Sequence, residues 1–218
     1  MFSSLLYIED GRIQLCKLMG CKNWVMVLIM EIAILDDWKK ASQESGKLSM
    51  RELAREASSI EDRLTVGMKK NLEEPIYILR DPCGIRSSES RSVSYIFACS
   101  ALIYLHVVLS GAHPDLPEIR ESVSKSVKAF QALPDPTWVR HLVWPFCIAG
   151  CMVTVDGQDV FRDIATAANL DGHIFGNFEK ALAIMERCWE GRQHQAKGGN
   201  AWDWKTSMDS LGQMVLLI

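Results

Sequence analysis

Apolar residues recur along this chain at steps of three and four, and that period predicts helices over most of its length. The clearest is 49–72. Leu53, Ala57, Ile60, Leu64 and Met68 form its apolar stripe, while Arg51, Glu56, Glu61, Arg63, Lys69 and Lys70 suit the wet side. Ser49 and Glu52 read as a capping box at its start. A second amphipathic helix is predicted over 118–133, with Ile119, Val123, Val127 and Phe130 inward. Shorter helices follow over 158–168, with Asp156 as its cap, and over 178–194. Asn177 caps the latter, and Leu182, Met185 and Trp189 lie along its face. A last helix runs over 204–218 behind Asp203. Near the start, 2–19 reads as one or two short helices. The segment 24–40 carries a broad stripe of Met26, Ile29, Met30, Ala33 and Trp38. Glu31 interrupts that stripe and is expected at a rim or against a base.

Two stretches are apolar on every side, 93–109 and 138–155, and a helix of that kind is a buried helix. Leu142, Phe146, Ala149 and Val153 make one stripe of the second stretch. Trp144, Cys147, Ile148, Cys151 and Val155 fill its neighbouring sectors. Pro145 lacks an N–H and is expected to start or kink the helix near Trp144. Gly150 lets a partner helix approach closely. Trp144, Pro145, Phe146, Gly150 and Cys151 are therefore the candidate core, and the two apolar helices are expected to bury each other. Residues 142–155 carry no charge, but the run is too short to span a bilayer, so no membrane is expected. No period-two alternation and no hairpin dipeptide marks a strand. The fold class expected is all-α, a single multi-helix bundle over 1–218 with about eight to ten helices around two buried ones. Proline, glycine and serine over 75–92 mark a loop or hinge, and its Ser87, Ser88, Ser90 and Ser92 are candidate phosphorylation sites. The stretches 169–176 and 197–200 read as further turns.

Composition narrows the function classes. The chain has 218 residues, 48% of them hydrophobic, enough for a sizeable core. A net charge of −3 argues against binding nucleic acid by charge alone. The first ten residues hold no basic residue ahead of their apolar patch, so no signal peptide is expected. The seven cysteines are an odd number, lie mostly in apolar helical stretches and include no Cys-x-x-Cys pair. Free, buried thiols in a reducing compartment are expected, and no zinc site or other metal site. Cys147 and Cys151 share a helix face.

No phosphate loop, nucleophile elbow or His-Glu-x-x-His motif occurs. The histidines, at 106, 113, 141, 173 and 194, are scattered. No catalytic residue and no cofactor is assigned. Two readings of the polar residues stand beside the purely structural one. Tyr104, His106, Trp144 and Cys147 would line a ligand pocket if the two apolar helices meet. An enzyme of secondary metabolism would need acid–base chemistry at His106 or His141.

Several phrases resemble a known family. LMGCKNWVMVLIMEIAILDDWKK, AREASSIEDRL and IFACSALIYLHVVLSGAHPDLPEIRESV are similar to the C-terminal regulatory domain of fungal-specific transcription factors. So are LVWPFCIAGC, FGNFEKALAIMERCW and the closing pattern of Trp204, Met208, Leu211, Gly212 and 215–218. The resemblance runs in order from about Leu15 to Ile218. It implies a helical, nuclear, non-enzymatic domain that modulates transcription, in many members that of secondary-metabolite gene clusters. It implies other transcription regulators or a full-length relative as partners, in homo- or heterodimers. That family reads DNA with a six-cysteine binuclear zinc cluster. The paired Cys-x-x-Cys motifs of such a cluster do not occur here, so no direct DNA binding is expected from this chain alone.

Overall fold

The computed structural model describes residues 20–75, 87–168, 176–194 and 202–212. Among them are eight α-helices, two 3-10 segments and no strand, the all-α architecture that the sequence period predicts. The expected helices of 2–19 and the turn at 197–200 lie outside the described residues, as does most of 169–176. The chain divides into two compact units, Met1–Leu109 and Ser110–Ile218.

The first unit holds α1 (Asn23–Glu44), α2 (Met50–Glu73) and α3 (Ser87–Ser110). Ser49 starts α2 by accepting from the Glu52 N–H at 3.2 Å, and its stripe of Leu53, Ala57, Ile60, Leu64 and Met68 is buried as expected. The short connection makes α1 and α2 antiparallel neighbours. Lys22, just before α1, pairs with Glu74, just after α2, across the open end of the hairpin. α3 runs beside both. Its early residues meet that open end, where the Lys22 N–H donates to Ser94 Oγ at 2.9 Å. Its late residues meet the end of α1, where Lys39 Nζ donates to the Val108 carbonyl.

Two expectations change here. α1 buries Val25, Leu28, Ile29, Ile32, Leu35 and Asp36, so only Ile29 of the expected stripe is fully inside and Met30 is exposed. A helix with apolar residues almost all round gives the period little to select a face from. The loop or hinge expected over 75–92 is helical from Ser87 onward, because the serines form the first turn of α3; residues 76–86 lie outside the described set. By length and composition, α3 could cross a membrane, but 83% of its apolar window is buried inside the protein, as in a core helix.

The second unit holds α4 (Pro117–Gln131), a 3-10 segment (Pro136–His141), α5 (Val143–Cys151), a 3-10 turn (Val155–Gly157), α6 (Gln158–Ala168), α7 (Asn177–His194) and α8 (Trp204–Leu211). The helix expected over 138–155, with Pro145 starting or kinking it near Trp144, is in three pieces, and the first break falls beside that proline. Pro145 explains the first break: it has no N–H to give, and its ring would collide with the carbonyl one turn back, so α5 begins just before it. Leu142 marks the junction with φ −107° and ψ 39°. At the other end Val155, expected in the core, is 68% exposed. The last helix also stops short of Ile218. Asp203 caps it by accepting from the Thr206 N–H at 2.8 Å, and Gly212 ends it in the left-handed region at φ 61°.

Candidate functional site

α5 is the buried centre of the second unit. Pro145 through Cys151 are all buried, while Trp144 is half-buried in the first turn. Phe146 has no exposed surface and stands among three other rings: Phe130 of α4, Phe161 of α6 and Phe178 of α7 lie 5.7, 5.4 and 5.2 Å away. Such offset and edge contacts favour packed aromatic clusters. Gly150 is where α7 crosses. A Cβ there would stand 2.2 Å from Met185 Cε and 3.1 Å from Phe161 Cδ1. Arg140 Nε donates to the Ala168 carbonyl at the end of α6, tying the 3-10 segment to that helix.

A thiol cluster borders this centre. Cys147, Cys151 and Cys188 are buried, as are Cys21 and Cys99. Cys188 Sγ lies 3.6 Å from the carbonyls of both Cys151 and Trp202. Burial, and after it the neighbouring thiol of Cys147, pushes the Cys151 thiol well up. Cys188 is pushed up by its contact with Cys151 and then by burial. The reactive form of cysteine is the thiolate, so both stay protonated and unreactive. Among the described residues, no group of three or more His, Cys, Asp and Glu is placed to hold a metal ion.

The four expected pocket residues fall in both units. In the first, His106 is buried, with Nε2 3.4 Å from Glu61 Oε1. Tyr104 is half-buried, with its hydroxyl 3.4 Å from Asp36 Oδ2. In the second, Trp144 begins α5, and Cys147 lies 4.0 Å from the Ala181 carbonyl of α7. His141 is exposed on the 3-10 segment.

Other buried polar groups escaped the sequence reading. Asp36 is 7% exposed and pairs with Lys40 at 3.1 Å. Burial holds the Lys39 ammonium below its usual range. Their i, i+4 and i, i+3 spacing near the end of an apolar helix was the available signal. Glu31 is paired as expected, accepting from both Arg63 terminal nitrogens. Trp202 is a further anchor. It lies against Gly191, where a Cβ would stand 2.4 Å from its ring, and its Nε1 donates to Ser207 Oγ at 2.9 Å.

These side chains fasten helix to helix, and the class they define is an all-α protein of two helical units with densely packed interiors. The chain belongs to the family of the fungal specific transcription factor domain, whose model matches residues 2–218. Among curated proteins it is 34% identical to the trichothecene biosynthesis transcription regulator TRI10 of Trichoderma arundinaceum, over 87% of this chain and 42% of that protein. It is 32% identical to the ustiloxin B cluster transcription factor ustR of Aspergillus flavus, over 100% of this chain and 38% of the relative. It is 31% identical to the transcription factor dibT of Pestalotiopsis microspora, over 96% and 35%. The chain thus spans about two-fifths of the length of these relatives. No solved structure matches it.

Proposed function

We propose that this chain is a regulatory domain controlling transcription of a fungal secondary-metabolite gene cluster, acting in the nucleus through protein contacts and not as an enzyme. The observation that carries the reading is the family match over residues 2–218, joined to relatives named for trichothecene biosynthesis and the ustiloxin B cluster. The candidate partners are other transcription regulators, a full-length relative or a second copy. Large apolar side chains exposed in the first unit, Met30, Met50, Val66 and Leu72, offer contact area for them. Deleting the gene in its host and measuring transcripts genome-wide tests the reading. Coordinated change in one biosynthetic cluster is the expected result. Unchanged transcripts under conditions that switch such clusters on would overturn it. Co-precipitation of the tagged chain from nuclei tests the partner class.

A further inference from the structure

Midway along α2 an exposed serine, Ser59, stands between two arginines of its own helix. Arg55 precedes it by four residues and Arg63 follows it by four, so each is its neighbour one turn away. Helical side chains lean toward the N-terminus, which brings the later arginine back over the serine. Arg63 is found there, with Nε donating to the Ser59 carbonyl at 3.3 Å. The terminal nitrogens of the same guanidinium hold Glu31 of α1. Arg63 therefore links the backbone at Ser59 to a largely shielded carboxylate on the neighbouring helix. Arg55 lies in solvent against Glu56 at 2.9 Å. Ser58 is exposed as well but is set among different charges. Three and four residues on, Ser58 meets Glu61 and Asp62, where Ser59 meets Asp62 and Arg63.

We propose that Ser59 is a phosphorylation site whose phosphate is held by Arg63, with Arg55 as its second cation, and draws Arg63 away from Glu31. A phosphoserine carries a charge of about −1.5 to −2 at pH 7 and three acceptor oxygens. Glu31 offers a single negative charge from across the helix pair, so a phosphate on the arginine's own helix is the nearer and stronger acceptor. Asp62 and Glu56, three residues to either side, oppose it, and Arg55 already meets Glu56. The reaction is a phosphoryl transfer from ATP in a protein kinase. The Ser59 hydroxyl oxygen bonds the γ-phosphorus, the bond from that phosphorus to ADP breaks, and the hydroxyl proton passes to the kinase's base. Glu61 and Asp62, two and three residues after Ser59, supply an acidic pattern for such a kinase to read. Once Arg63 has moved, Glu31 is an unpaired carboxylate in an apolar stripe, and α1 is held less firmly to α2.

Full chains synthesised with phosphoserine at 59 or at 58 test the capture. In phosphorus NMR, the Ser59 phosphate is expected to titrate at least about half a unit below the Ser58 phosphate, because a nearby cation favours the dianion and carboxylates oppose it. Equal midpoints overturn the proposal, and that comparison needs no arginine variant to fold. Arg63→Gln is expected to remove most of the difference; a difference kept in full overturns the role of Arg63. The coupling between Glu31 and Arg63, from a double-mutant cycle, is expected to fall below about half with phosphate on Ser59 and to hold with phosphate on Ser58. A coupling that Ser59 phosphate leaves unchanged overturns the link to α1. Mass spectrometry of the tagged chain, recovered from its host with phosphatases blocked, tests the modification itself. Phosphate on Ser59 is expected, and its absence from growing and starved cultures alike overturns the site.

Discussion

The indole N–H of Trp189 donates to the carbonyl of Gly150 over 2.8 Å. That carbonyl belongs to the last turn of α5, where helix carbonyls lose their partners. The backbone offers it only the Val153 N–H at 3.4 Å. α7 thus completes the end of α5 at Gly150, where Met185 of α7 also leaves no room for a side chain.

Trp189→Phe keeps most of the ring and removes the donor. It is expected to cost about 1–2 kcal/mol, the worth of a buried hydrogen bond whose acceptor is left behind. Gly150→Ala tests the closeness of the crossing. Alanine gains about 1 kcal/mol of helix propensity over glycine. The added methyl collides with Met185 and Phe161, both without exposed surface, so it overpacks the contact at about 1–3 kcal/mol. Net destabilisation is expected in urea unfolding followed by circular dichroism. A Gly150→Ala chain as stable as wild type would show that α7 yields freely there.

Phe146 is the ring on which Phe130, Phe161 and Phe178 converge. Phe146→Ala is expected to cost about 3–5 kcal/mol. Val155, also in the uncharged run but 68% exposed, is expected to tolerate alanine within about 0.5 kcal/mol. Melting both variants side by side separates the packed centre from the solvent-facing end of one apolar stretch.

That contrast marks where the sequence was legible. Amphipathic α2 could be read residue by residue, cap included, because its charges leave only one face to bury. Continuously apolar stretches could be recognised as buried, yet their internal breaks and faces could not be placed. Nothing in the alternation of 138–155 separates Phe146 from Val155. Pro145 alone announced a boundary there. Polar partners across helices, such as Asn71 with the Arg91 carbonyl, leave no periodic trace. They are set by which helix ends meet, and that is a property of the packing.

Glu31 and Arg63 test whether a charge inside an apolar stripe is stabilising. The Glu31 side chain is 15% exposed and that of Arg63 38%, so the pair is partly shielded from water. Two terminal nitrogens of Arg63 meet two carboxylate oxygens, the arrangement that makes guanidinium pairs strong. A double-mutant cycle of Glu31→Gln and Arg63→Met is expected to return a coupling of about 1–2 kcal/mol, above the ordinary surface pair. A coupling near zero would class it with solvated surface pairs.

The last test concerns how α8 is held. Trp202 lies against Gly191, the Arg187 guanidinium stands over its ring at 5.3 Å, and Arg192 Nε donates to its carbonyl at 3.1 Å. The same carbonyl stands 3.6 Å from Cys188 Sγ, so the segment that carries Trp202 also covers that thiol. Native chain treated with iodoacetamide at pH 8 is expected to leave Cys147, Cys151 and Cys188 unmodified. All three are buried, and the raised Cys151 and Cys188 thiols supply almost no thiolate. Gly191→Ala puts a methyl where the Trp202 ring lies. It is expected to lift the segment and make Cys188 the first of the three to be alkylated, before global unfolding exposes the others. Mass spectrometry of the peptides against labelling time gives the order. Simultaneous labelling of all three would mean that the segment and the centre of the second unit open as one cooperative body.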